Sequence, residues 1–157
     1  MNIAKYLQDY DLNKVFFLNP IKNTVIDNSN FIRILYSNEL FILNGVYLII
    51  DINDISIDKH NNKIKYSFNP EKNLEILNSI KNIEINLLKK INIKNKNMST
   101  KILDQLDTGF LKISNEYNEN FTNKFILKIS GIWESIYEYG LTYKFINVEY
   151  NIEIVND

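Results

Sequence analysis

Two stretches, 125–134 and 141–150, alternate large and polar side chains with the period of two that a β-strand imposes. Residues 135–140 separate them, and Gly140 is placed to supply the positive φ of a turn, so the pair is predicted to form a hairpin. The same alternation marks 14–18, 31–37 and 63–68. In 31–37, Ile32, Ile34 and Tyr36 share one face while Phe31, Arg33 and Leu35 share the other. In 63–68, Ile64, Tyr66 and Phe68 turn inward and Lys63 and Lys65 outward. The apolar stretch 39–57 is long, and Asn44-Gly45 in its middle predicts a bulge or sharp bend rather than a break.

Helical spacing occurs elsewhere. Ile3, Tyr6, Leu7 and Tyr10 fall at i, i+3, i+4 and i+7, which predicts a short N-terminal helical extension over about 1–13. Asn69-Pro70-Glu71 combines a capping side chain, a proline tolerated in the first turn and an acid at the positive helix end. Leu77, Ile80, Ile83, Leu87, Leu88 and Ile91 follow as one stripe, so a helix is predicted over 70–91. Ser99 caps a second, shorter helix over 100–106, which ends near Gly109. The Lys- and Asn-rich segment 93–98 reads as a mobile connector, 58–62 and 114–123 as loops, and 110–113 as a brief strand. The order is three strands, a helical insertion, then two strands. That predicts a mainly β, α+β domain spanning 1–157, arranged as a five-stranded oligonucleotide-binding (OB) barrel with its helix between the third and fourth strands. A mixed α+β sheet of another topology fits the same pattern.

Composition narrows the function more by exclusion than by assignment. A 157-residue chain with 45% hydrophobic and 24% charged residues buries a core without staples. No apolar run approaches the roughly 20 residues needed to span a bilayer, and the first residues lack a secretory pattern. No cysteine is present, which fits a reducing compartment, so no membrane partner and a cytoplasmic location are expected. The bias toward Asn, Ile and Lys, with Arg33 the only arginine, follows from an AT-rich coding sequence. A net charge of −1 argues against coating duplex DNA by bulk charge. Locally, however, Lys89, Lys90, Lys94, Lys96 and Lys101 run without an intervening acid, whereas acids outnumber lysines after Ser114. A basic groove and a solvated linker beside a helix share that signature.

Catalytic chemistry has little under it. His60 is the only histidine and has no nucleophile arrangement to join. Asp51 and Asp54 would point to opposite faces of a strand, so no metal site is expected there. No phosphate-binding glycine loop occurs, so neither an enzyme nor a cofactor is expected. Single-strand binding asks for aromatic platforms and cations along a groove. Trp133, Tyr137, Tyr139 and Tyr143, with Lys128 and Lys144, supply both on the hairpin, and Arg33, Lys63 and Lys65 add phosphate contacts from neighbouring strands. The same rings serve equally as the core of a small β domain. Strict alternation buries Trp133 and Tyr143 and leaves Tyr137 and Tyr139 as the exposed platforms.

Five segments carry a family likeness: Phe31-Ile-Arg-Ile-Leu-Tyr-Ser37, Leu43-Asn-Gly-Val-Tyr-Leu48, Gln105-Leu-Asp-Thr-Gly-Phe-Leu-Lys-Ile113, Leu127-Lys-Ile-Ser-Gly-Ile-Trp-Glu134 and Tyr139-Gly-Leu-Thr-Tyr-Lys-Phe145. Together they resemble the OB-fold single-stranded DNA-binding proteins of large cytoplasmic DNA viruses and virus-like linear cytoplasmic plasmids. The segments cover roughly a third of the chain, with the last two the most specific. The family often ends in a dense acidic tail or an aromatic tip, from which the mildly acidic, rather apolar 148–157 departs. The resemblance implies a non-enzymatic protein that coats and protects displaced strands during replication of an AT-rich cytoplasmic replicon. Its implied partners are single-stranded DNA, replication proteins and further copies of itself. The alternatives are a structural or assembly protein, or an accessory subunit of a replication or transcription complex, of the same replicon.

Overall fold

The computed structural model describes residues 2–61, 63–113, 123–148 and 152–154. From the N-terminus come β1 (Asn2–Tyr6), β2 (Val15–Phe17), β3 (Ile21–Lys22), β4 (Asn30–Ser37), β5 (Ile42–Leu43) and β6 (Val46–Asp51). A second group follows: β7 (Ser56–His60), β8 (Lys63–Ser67), helix α1 (Leu74–Ile91), β9 (Asn97–Ser99), helix α2 (Lys101–Asp107) and β10 (Phe110–Leu111). The chain closes with β11 (Lys124–Glu134), β12 (Glu138–Asn147) and β13 (Ile152–Ile154). The protein is thus mainly β with helix, as the hydrophobic pattern predicts.

The predicted hairpin is the axis of the large sheet. β12 lies antiparallel along one edge of β11. Along the other edge β6 pairs with residues 124–129 and β4 with residues 131–134, so two strands share one neighbour end to end. β4 then runs past β11 to pair with β2, β3 and β5, while β1 and β13 extend the sheet beyond β6. β7, β8 and β10 form a separate three-stranded sheet. Among the described residues the path from β13 to β9 is open, with no pairing that joins its ends.

The core follows from the alternation. Ile32, Ile34 and Tyr36 of β4, Leu48 and Ile50 of β6, and Phe125, Leu127 and Ile129 of β11 are all buried on one side of the sheet. α1 lays Leu77, Ile80, Ile83, Leu87 and Leu88 into the same cluster, each contributing about 1.5–3 kcal/mol when fully buried. Its start is as predicted: a 3₁₀ turn (Pro70–Asn73) leads into it, and Asn69 Oδ1 accepts from the Glu71 amide at 2.9 Å. Tyr66 of the small sheet closes the lower end, edge-on to Phe125 at 5.9 Å. No described helix is long and apolar enough to cross a membrane.

Several local expectations change. The N-terminal segment is strand β1 followed by two 3₁₀ turns, not a helix. Its helical spacing is coincidental, because β1 lies between β6 and β13 and consecutive residues Ile3, Ala4 and Lys5 are all buried. The stretch 39–57 is interrupted twice; Gly45 takes φ +119° between β5 and β6, and the chain turns again at Asp54, φ +56°, before β7. Gly140 belongs to β12 rather than to the turn, which is left to Ser135, Ile136 and Tyr137. The connector contains β9, parallel to β12, and Lys96 Nζ ties it down through Glu134 and the Ser135 carbonyl at 2.7 Å. Ser99 caps nothing; the first amides of α2 are met by Glu84 instead. The predicted 114–123 loop and residues 149–151 fall almost entirely outside the described residues.

Candidate nucleic-acid interface

The large sheet has a second face, opposite the helices, and one irregularity decides which side chains reach it. Up to Ile129, the odd residues of β11 point to the core, and Lys128 points away. The register then shifts between Ile129 and Gly131, leaving Ser130 as an additional residue. Beyond the bulge Ile132 faces the core, in register with Ile32 and Leu141, and all three are buried. Trp133 therefore turns outward, in register with Phe31 on one side and Gly140 on the other. The expectation that Trp133 joins the buried aliphatics fails because a bulge reverses the period-two phase.

Two rings lie across this face on bare backbone. A Cβ on Gly140 would stand 2.7 Å from Trp133 Cζ2 and 2.8 Å from the Ser99 carbonyl oxygen, so the indole lies against β12 where only glycine leaves room. A Cβ on Gly131 would likewise run into the Phe31 ring. Both aromatics are half-buried. Partial burial leaves part of each ring to solvent, and an exposed aromatic surface is what base stacking requires. Covering a glycine with an aromatic ring also stabilises a sheet in its own right.

Cations lie along the same face. Arg33 is exposed, in register with Gly131. Lys128 and Lys144 face each other across the hairpin, and Lys128 Nζ sits 5.1 Å from the centre of the Tyr47 ring. Toward the start of β11 the same face is closed by a small apolar cluster of Ala4, Ile49 and Ile126 and by the exposed Lys124–Asp51 pair at 3.4 Å. The open part of the face is therefore the upper half, between Arg33, Trp133 and Lys144.

Of the nine residues predicted from sequence, Arg33, Lys128, Trp133 and Lys144 come together here. Tyr139 does not; it is 4% exposed on the core side, with its hydroxyl 3.4 Å from the Leu88 carbonyl. Starting β12 at Glu138 places Tyr139 inside the strand, where its parity sends it to the core. Tyr143 also faces inward, half-buried, and donates to Gln105 Oε1 at 2.7 Å. Burial, helped by the nearby Glu84 and Asp104 carboxylates, pushes its phenol up to about 12, so it stays a donor. Tyr137 stands 75% exposed at the hairpin tip, as predicted. Lys63 and Lys65 are exposed on β8 of the small sheet, with Lys65 Nζ 3.9 Å from the Phe110 ring centre, and do not share the face.

Phe31, Tyr47 and the two glycines were missed as site residues. The signal for Phe31 was present, because it alternates with Arg33 on the polar side of β4, where a large ring is out of place in a solvated strand. Gly131 and Gly140 inside strands marked a close approach. No family model, no curated protein and no solved structure matches this chain.

Proposed function

We propose that this protein binds single-stranded DNA on the outer face of the large sheet. The observation that carries the reading is the pair of rings, Phe31 and Trp133, packed against Gly131 and Gly140 on the face that also carries Arg33, Lys128 and Lys144. Bases stack on the rings, and the cations meet the phosphates that flank them. The architecture is read as OB-like: bent strands, a helix between β8 and β11, then a hairpin, although the sheet is open. With the family resemblance of the sequence, this makes the protein a non-enzymatic coat for strands displaced during replication of an AT-rich cytoplasmic replicon.

An assembly role is the competing reading, and a specific feature favours it. Phe16, Leu18 and Ile21, beside the same face, are 53%, 45% and 57% exposed, which suits a protein partner. One titration separates the two. Trp133 is the only tryptophan, so its emission reports on this face alone. Adding oligo-dT should quench it, and excess duplex should not restore it. Unchanged emission at saturating oligonucleotide would remove the DNA reading and leave the assembly role.

A further inference from the structure

The lysine run 89–101 has a structural outcome that the outer face does not use. Lys90 is spent internally, its Nζ held by the Leu12 and Val15 carbonyls at 2.7 and 2.8 Å. Lys96 is spent in tying β9 to the hairpin end. Lys89 and Lys94 remain exposed, and they border a hollow of about 540 Å³ between the end of α1 and the start of β9. Asn92 and Asn95, both left-handed with φ of 49° and 64°, bend the chain around it. The Lys96 anchor makes this hollow pre-formed rather than a loop that must order on binding.

Its position matters as much as its charge. β9 is the strand next to β12, and Ser99 stands beside Gly140, on which the Trp133 indole lies. Tyr139 and the end of α1 line the hollow, so it opens on the helix side, and a strand leaving Trp133 reaches it by crossing β12 and turning over the edge strand β9. We propose that the hollow is a second subsite, which takes the phosphodiester backbone of the same single strand after it leaves the aromatic face. It binds by charge and amide hydrogen bonds, without stacking. Two carboxylates stand at this edge, Glu134, which Lys96 already pairs, and Glu138, beside Asn97 in the β9 register.

This inference rests on the outer-face reading, and oligonucleotide length separates the two. A strand of about 6 nucleotides fills the aromatic face alone, whereas one of about 20 also reaches the hollow. The double variant Lys89→Glu/Lys94→Glu changes exposed side chains only. It should bind the long oligo-dT on the order of tenfold more weakly at low salt, and flatten its log–log salt slope by about 1.4, two contacts at ~0.7 each. Affinity for the short oligonucleotide should stay as in the parent. Unchanged long-strand affinity and slope, with Trp133→Ala still weakening both lengths, would overturn the subsite and leave the face. If the parent protein binds neither length, the face reading fails and the subsite with it.

Discussion

Trp133 and Tyr139 stand on adjacent rungs of one hairpin and face opposite sides of the sheet, Trp133 across from Gly140 and Tyr139 across from Glu134. Substituting each therefore removes a different property. Tyr139→Ala empties a site that is 4% exposed beneath α1, and should lower stability by on the order of 3–5 kcal/mol. Oligo-dT affinity of the folded fraction should not move. Trp133→Ala removes a half-buried ring, with a stability loss of roughly 1–2 kcal/mol, and should weaken binding by about 1–3 kcal/mol. Melting temperature and oligo-dT affinity, measured on both, decide it; a Tyr139→Ala variant that melts like the parent contradicts its burial. The sequence placed both rings on the hairpin but assigned their sides in reverse, because neither the bulge at Ser130 nor the strand position of Gly140 shows in residue type.

Among the elements, α1 was the most legible, since a capping Asn, a following Pro and a 3.6-residue stripe all agreed. What the stripe concealed was Glu84, fully buried among its leucines and isoleucines. Its carboxylate accepts from the Ile102 and Leu103 amides at 3.0 and 2.9 Å, so α1 supplies the cap that Thr100 does not give α2. No local signal announces a cap contributed from 18 residues away. Burial outweighs the two amides and holds this carboxyl above its ordinary range. The folded protein then keeps a proton that the unfolded chain has released. Glu84 accordingly contributes most stability below the ordinary carboxylate range, and that part is lost as pH rises through its raised value. Glu84→Gln has no such titration, so parent and variant melting curves should diverge in slope over that window. Parallel curves would place the ionised form in the fold.

For the whole molecule, net charge and local charge make different statements. The total of −1 forbids strong attraction to DNA at long range, yet the open face holds Arg33, Lys128 and Lys144 in one patch. Three phosphate contacts give a log–log salt slope near −2 for a short single strand, at about 0.7 per contact. In the proposed complex stacking supplies the remainder, and it is less sensitive to salt. A salt titration that returned a slope near zero would shift the weight to the exposed Phe16, Leu18 and Ile21 and to a protein partner. Fold class was readable because periodicity reports which residues are covered. Strand order was not, since β4 and β6 meet β11 end to end through pairings of long sequence separation.

The bulge in β11 also bears on how this gene tolerates change. A strand with one phase accepts polar replacements at every second position from end to end. Here the permissive positions switch parity at Ser130, so neighbouring codons obey opposite rules on either side of it. Losing that single codon in frame would keep the phase, because Ile129, Gly131, Ile132 and Trp133 would then alternate as a regular strand with Ile132 inside and Trp133 outside. A three-nucleotide deletion there is thus milder than one at Leu127, which would draw Lys128 into the interior position that Leu127 fills.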